Sequence, residues 1–333
     1  MQTYHLDHLE GLTPFVLHEL KALNARILGK GKDHVRIAFP GNPRPLLDLR
    51  TVVAVSRIER FEVPRPKALL GHQHLTRLLS IVQDTRKLGT FQSFRFAAAG
   101  SDSSVFKRLA EEIQTQSKLK HDPEDGEMVL RVLKSGEAWE VLIRLSPRPL
   151  SARAWRVANM EGGLNATVAA AMVQLAHIEK HDVVFNPMCG SGTLMIETGL
   201  MYGGAKVSGC DLDHEHVGFA QANLQAAGLK SEAYLSDATH LDLPDQSVDV
   251  ILCDLPWGDN IGSNTANLSL YPEFFREMTR IAAVGARMVL ISHEIKLMDR
   301  LLKDQSRWSV VREDRVYHGG HFPRIYTLNR LPG

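Results

Sequence analysis

From residue 165 onward, short apolar runs alternate with longer runs of helical period, and this alternation restricts the possible folds more than any other feature of the chain. Residues 166–178, 193–202, 215–227 and 272–283 read as helices. Residues 183–185, 206–210, 233–235, 248–253 and 287–292 read as strands, and the runs are apolar enough to be covered on both faces. Strand–helix alternation of this kind builds a mostly parallel sheet wrapped by helices. Residues 308–317 and 325–331 flank Gly319-Gly320, which predicts a terminal antiparallel hairpin. The class is α/β, and in such open sheets ligands bind outside the carboxyl ends of the strands.

Asn186-Pro-Met-Cys-Gly-Ser-Gly-Thr193 lies between the first strand of this region and the next helix. Gly190 and Gly192 permit a tight turn and a close approach to a ligand. The helix that follows presents free N–H groups and a positive dipole end. A dinucleotide fingerprint needs a third glycine three residues on, where this chain has Met195, and there is no P-loop lysine. A nucleoside ligand remains. Asp211, 19 residues after Gly192, can accept hydrogen bonds from both ribose hydroxyls. Asp237, with Ala238, follows the next strand, where a carboxylate can accept from an adenine amine. Taken singly, either aspartate is equally a helix cap or a turn residue; their order along one sheet edge is what points to a nucleoside-bearing cofactor.

Asp254-Leu255-Pro256-Trp257 ends the strand over 248–253 at the same edge. An exocyclic amine is a poor nucleophile because its lone pair is delocalised into the ring. A carboxylate and a backbone carbonyl can together accept its two protons, which orients the nitrogen and raises its nucleophilicity. Trp257 can stack on a base taken out of its helix. Any exocyclic amine fits, so guanine N2 and adenine N6 both stay open, as does the role of Asp254 as base or orienting acceptor.

The first half differs in charge. Residues 1–160 hold 25 Lys+Arg and 17 Asp+Glu, a net of +8; the remainder holds 14 and 21, a net of −7. A basic half joined to an acidic half fits a polyanion-binding module attached to a second function. Residues 12–23 read as a helix and 35–39 and 52–61 as strands, an α+β unit closed by the proline clusters at 40–45 and 64–66. A strand at 93–96, a helix at 103–118 capped by Ser101, Asp102 or Ser103, and strands at 128–133 and 139–145 make a second unit. No apolar run of about 18 residues predicts a membrane span, and the N-terminus has no secretory pattern. Cys189, Cys210 and Cys253 have neither disulfide nor zinc spacing and read as reduced, buried thiols.

The glycine loop together with Asp254-Leu-Pro-Trp257 resembles the THUMP-containing RNA methyltransferases that make N2-methylguanosine in the tRNA acceptor stem, and the resemblance spans nearly the whole chain. It implies a ferredoxin-like domain over 1–62, a THUMP RNA-binding domain over 63–156 and a Rossmann-like class I methyltransferase domain over 157–333. Pro149-Leu-Ser-Ala-Arg-Ala-Trp-Arg156 is similar to the THUMP exit segment, and Leu164-Asn-Ala-Thr-Val-Ala-Ala-Ala171 to the helix that opens the catalytic domain. The implied cofactor is S-adenosylmethionine, leaving as S-adenosylhomocysteine, with no metal. It would be held by Asn186, Pro187, Cys189, Gly190, Gly192, Thr193, Asp211, Leu212, Asp237 and Ala238, and Asp254, Leu255, Pro256 and Trp257 would carry the chemistry. The implied partner is tRNA, gripped at its 3′ end and methylated near position 6 of the acceptor stem by a cytoplasmic monomer that touches no membrane. Lys118, Lys120, Arg144, Arg148, Arg153 and Arg156 are the candidate phosphate contacts. Related tetrapeptides often read Asn or Asp-Pro-Pro followed by an aromatic residue; Leu255 replaces the first proline but keeps its carbonyl. Methylation of another RNA, methylation of adenine N6, and a non-catalytic RNA-binding protein are the rival readings.

Overall fold

A computed structural model describes residues 1–257 and 264–332 of the chain. Two units emerge: Met1–His8 with Val16–Ser151, and Leu9–Phe15 with Ala152–Gly333.

The first unit carries β1 (Gln2–Asp7), most of α1 (Thr13–Ala22), β2 (Arg26–Lys30), β3 (His34–Phe39), β4 (Ala54–Phe61), α2 (His72–Arg86), β5 (Ser93–Ala97), α3 (Ser104–Ser117), β6 (Lys120–His121), β7 (Met128–Ser135) and β8 (Ala138–Arg144). Its strands form one sheet in the order β2-β3-β1-β4-β8-β7-β5-β6. The segments over 1–62 and 63–156 are thus joined edge to edge, β4 pairing antiparallel with β8. Leu78, Leu79, Ile81 and Val82 of α2 pack with Phe106, Leu109 and Ile113 of α3 over Phe94, Leu130 and Val141. Ser103 is the α3 cap residue, although its hydroxyl makes no capping bond.

The second unit continues with α4 (Ala166–Leu175), β9 (Val183–Asn186), α5 (Thr193–Met201), β10 (Lys206–Asp211), α6 (His214–Ala226), β11 (Glu232–Leu235), β12 (Val248–Asp254), α7 (Asn264–Ile281), β13 (Ala282–Ser292), α8 (Ile295–Asp304), β14 (Trp308–Arg315) and β15 (Arg324–Arg330). The sheet order is β11-β10-β9-β12-β13-β15-β14. Strands β11 to β13 are mutually parallel, and β15 runs antiparallel to both its neighbours. Strand order reverses between β9 and β12, which opens a crevice at their carboxyl ends.

Strand alternation explains why this sheet needs helices on both sides. Val250 and Leu252 of β12 pack under α4 with Val168, Ala169 and Met172. Ile251 and Cys253, the intervening residues, pack under α7 and α8 with Tyr271, Phe274 and Met298. Asn165 caps α4, its side chain accepting from the Thr167 N–H. Leu12 and Phe15 join the α4 core, so this short N-terminal stretch belongs with the second unit. Gly11 makes that possible: its φ is +93°, and a Cβ there would meet the Arg315 carbonyl oxygen at 2.2 Å. No helix among the described residues is long and apolar enough to cross a membrane.

Several elements differ from the sequence reading. Helix α7 starts at Asn264, not at Pro272; the proline lies inside the helix, where its missing N–H removes one bond without ending it. β1, β2, α2, β6 and α8 were not among the elements read from the sequence.

Candidate active site

The glycine loop leaves β9 at Asn186 and enters α5 at Thr193. Gly190 and Gly192 have φ of +50° and +80°, and a Cβ on Gly192 would press to 3.2 Å on Ala220 of α6. Two bonds fix the loop against β10. The Cys189 N–H donates to the Cys210 carbonyl at 2.8 Å. The Gly190 N–H donates to Asp211 Oδ2 at 2.8 Å. Asp211 Oδ1 accepts from the Asp213 N–H and meets His216 Nδ1 at 3.2 Å. A carboxylate has about four lone-pair positions, so Asp211 retains capacity for a ligand hydroxyl.

The other predicted cofactor residues take distinct places. Asp237 accepts from the Thr239 N–H and hydroxyl, which holds its carboxyl below the usual range and therefore charged. Leu212 is 74% exposed, whereas Ala238 is buried. The Pro187 carbonyl lies 3.3 Å from Cys210 Sγ, and Thr193 Oγ1 accepts from Arg156. All three cysteines are buried free thiols, and burial raises their pKa values, that of Cys210 to about 12.

Asn186 supplies an observation that bears on fit. Its Nδ2 donates to the Leu252 carbonyl at 2.7 Å, but its buried Oδ1 has no partner. Such an atom costs free energy unless a ligand donates to it. Asn186, Met188, Gly190, Thr193, Met160 and Asp254 line one cavity. A glycine cradle, a carboxylate at the end of β10 with spare acceptor capacity, an exposed leucine for a base and an unpaired oxygen for an ammonium suit S-adenosylmethionine.

Asp254 ends β12 and lines the same cavity. The tetrapeptide is pinned from below. The Leu255 N–H donates to the Ile291 carbonyl at 3.0 Å. The Pro256 carbonyl accepts from Tyr271 Oη at 2.8 Å and from Asn267 Nδ2 at 3.0 Å. Since the Tyr271 proton goes to Pro256, the Ser292 hydroxyl at 2.9 Å donates to Tyr271, while Ser292 Oγ accepts from the Glu294 N–H. Asn267, Tyr271 and Ser292 are buried, so the chain of bonds is shielded from water. Trp257 Nε1 donates to Asp254 Oδ1 at 3.1 Å, which joins the two ends of the tetrapeptide.

Burial raises the Asp254 carboxyl to about 7, the indole bond offsetting only part of the shift. The acid is therefore poised to change charge near neutral pH, a property typical of reacting groups. Its sign for stability is definite. An unfolded aspartate ionises near 4, so between about pH 4 and 7 the unfolded state loses a proton that the native state retains. Stability falls across that window as pH rises. Asp254→Asn is expected to stabilise the fold above pH 7 by up to about 4 kcal/mol, at about 1.36 kcal/mol per unit, seen as a higher melting temperature, and to change nothing below pH 4. Calorimetry at both pH values checks this; a variant equally destabilised at both would contradict it.

Tyr271 is a positioning residue that sequence reasoning missed. Tyr271→Phe removes one of the two donors to Pro256 and strands the Ser292 proton. The expected result is a three- to tenfold lower kcat, about 0.5–1.5 kcal/mol, with cofactor Kd unchanged. Steady-state kinetics and calorimetric titration with S-adenosylhomocysteine measure the two; an unchanged kcat would remove the pin from the mechanism.

The candidate RNA contacts divide. Lys118, Lys120 and Arg148 are exposed. Arg144 instead donates to the carbonyls of Glu127, Ser146 and Pro147. Arg153 pairs with the fully buried Glu197 at 2.9 Å, and Arg156 binds the Leu164 carbonyl and Thr193 Oγ1. These three guanidinium groups are engaged inside the protein, so only Lys118, Lys120 and Arg148 remain available as surface cations from the original six. Orientation, not charge, separates the two groups.

A family model described as RMKL-like, methyltransferase domain, matches residues 153–324, just over half the chain. The chain belongs to the RMKL-like methyltransferase domain family. Among its relatives, the tRNA (guanine(6)-N2)-methyltransferase of Thermus thermophilus is 32% identical over 205 residues, 61% of this chain and 60% of that protein. The mouse U6 snRNA (guanine-N(2))-methyltransferase THUMPD2 is 34% identical over 163 residues, 47% of this chain and 29% of that protein. The chain thus matches less than two thirds of the length of either. The crystal structure of TrmN from Thermus thermophilus covers 99% of this chain and 100% of its own, at 26% identity and a TM-score of 0.77. S-adenosylmethionine is the cofactor of this methyltransferase domain, and when bound it supplies a methyl group activated on a sulfonium. The glycine cradle, Asn186, Asp211, Leu212 and Asp237 are the residues that would hold it.

Proposed function

We propose that this methyltransferase modifies the N2 amine of guanine in RNA, with the tRNA acceptor stem near position 6 as substrate. The observation that carries the reading is Asp254, a near-neutral carboxylate on a pinned backbone that shares a cavity with the cofactor loop. Asp254 Oδ2 accepts one amine proton and the Leu255 carbonyl the other, which directs the nitrogen lone pair toward the methyl group. Pro256 stiffens the turn and Trp257 stacks on the flipped base. Methyl transfer would leave the amine cationic, and Asp254 or water would take one of its protons.

Two relatives named as acting at guanine N2 of tRNA or of U6 snRNA support guanine over adenine. In this reading residues 1–62 are ferredoxin-like, 63–156 form a THUMP domain that grips the tRNA 3′ end, and 157–333 catalyse, as a monomer in the cytoplasm. The U6 relative keeps a second RNA class in view. Methyl incorporation from labelled cofactor into separate tRNA, rRNA and small nuclear RNA fractions tests the choice. tRNA is expected to be labelled, and less so once its 3′ end is removed; label confined to another fraction would overturn the tRNA reading.

Binding of full-length protein to tRNA is expected to weaken by about 0.7–0.9 log units per log unit of salt for each phosphate contacted. Lys118→Glu, Lys120→Glu and Arg148→Glu should each weaken binding and flatten that slope. Filter-binding titrations across a salt series measure it, and slopes unaltered by all three variants would place the RNA on another surface.

A further inference from the structure

Three imidazoles surround Trp257, and the mechanism above uses none of them. His293 lies just beyond β13, its ring centroid 5.9 Å from the indole and its plane tilted by 33°. His318 and His321 stand edge-on to the indole at 5.4 and 6.3 Å. His293 and His321 are themselves 4.7 Å apart. These spacings are those of stacked and edge-to-face aromatic pairs.

The hairpin turn between β14 and β15 creates the arrangement. His318 and His321 exchange two backbone hydrogen bonds of 3.0 Å, and Gly319 and Gly320 between them have φ of +59° and +85°. Glycine adopts two such conformations in succession without strain, so this tight turn fixes where both rings sit. His321 is exposed, whereas Trp257, His293 and His318 are half-buried. Among the four rings His321 is thus the one most open to solvent. Among the described residues no group of three or more His, Cys, Asp or Glu side chains could hold a metal ion.

The indole is bonded to Asp254 Oδ1, so whatever stacks on these rings is held beside the carboxylate. We propose that His293 and His321 complete, with Trp257, an aromatic cage that holds the target purine of the RNA, with His321 as the residue that contacts the base from the open side. This rests on the reading that the substrate amine belongs to a purine. His318 is the inner wall. Burial first, then the charges of Arg156 and His321, lower its imidazole to about 4, so it adds no cation near an amine that turns positive during transfer. A base extruded from a helix loses its stacking partners, and aromatic faces replace them whichever purine it is.

Two readouts test the cage. In the wild-type protein saturated with S-adenosylhomocysteine, guanosine 5′-monophosphate is titrated against cytidine 5′-monophosphate, and the histidine Cε1–H resonances are followed by NMR, assigned by single His→Ala variants. The expected result is a ring-current shift at His321 and His293 with the purine nucleotide and a much smaller one with the pyrimidine. Equal shifts with both, or none, would overturn the cage. In kinetics, His321→Ala should lower kcat/KM for RNA about ten- to hundredfold with cofactor Kd and melting temperature unchanged, and His321→Phe, which restores a ring, should recover most of the loss. If Ala and Phe are equally active as wild type, or equally impaired, His321 is not a stacking contact. Nucleoside analysis of the wild-type product separates this from the guanine reading. N6-methyladenosine would sink that reading and leave the cage standing, and a wild type inactive on every RNA leaves the NMR titration to decide it.

Discussion

Asp254→Ala is expected to lower kcat by about 10²–10⁴-fold if the carboxylate acts as a general base, with cofactor Kd unchanged. The substitution removes the acceptor for the substrate amine and also frees the indole N–H that Asp254 holds at 3.1 Å. Asp254→Asn separates the two roles of the carboxylate. The amide keeps one acceptor oxygen and loses the charge. If orientation dominates, Asn retains much of the activity; if proton removal dominates, Asn resembles Ala. The wild-type pH profile gives an independent measure. Burial places the Asp254 carboxyl at about 7, so kcat/KM should rise as pH passes upward through that value and level off above it. A rate independent of pH between 5.5 and 8.5, together with full activity in Asp254→Ala, would remove Asp254 from the reaction.

Asp211→Ala should produce the second large effect, on binding rather than chemistry. Truncating one side of a charge-assisted hydrogen bond costs about 1.5–3 kcal/mol, roughly ten- to hundredfold in Kd for S-adenosylmethionine. Asp211 also fixes the Gly190 N–H and His216, so its loss loosens the cradle as well as the ribose site. Asp211→Asn, which keeps one acceptor oxygen, should weaken binding less than Ala. Calorimetric titration decides, and a Kd within twofold of wild type for Asp211→Ala would place the ribose elsewhere.

Much of this edge was legible in the sequence because it depends on local chain properties. The glycine loop, Asp211 and Asp254 each follow a strand, and strands are marked by short apolar runs; the parallel sheet and the terminal antiparallel hairpin follow from the same period. α2 and α8 carried the signal too, with Leu75, Leu78, Leu79 and Val82 at helical spacing and Leu297, Met298, Leu301 and Leu302 likewise. The denser punctuation of prolines and glycines around them obscures that signal. Pro272 suits the first turn of a helix and so marks a start in the sequence, whereas packing of Tyr271, Phe274 and Met278 carries α7 through it.

What the sequence could not disclose was partnership at a distance. Nothing local joins Tyr271 to Pro256, or His318 and His321 to Trp257; the sheet order brings them together. The cations illustrate the same limit. Arg144 and Arg148 look alike in the chain, yet one is bonded to three carbonyls and the other is exposed. Net charge marks the first half as basic, but which cations face outward depends on folded geometry.

The central claim is that the amine held at Asp254 is guanine N2. It is tested most directly by incubating total tRNA with the full-length protein and S-adenosylmethionine bearing a deuterated methyl group, then digesting to nucleosides for mass spectrometry. N2-methylguanosine carrying the deuterated methyl is the predicted product; label appearing as N6-methyladenosine, or in no nucleoside at all, would contradict it.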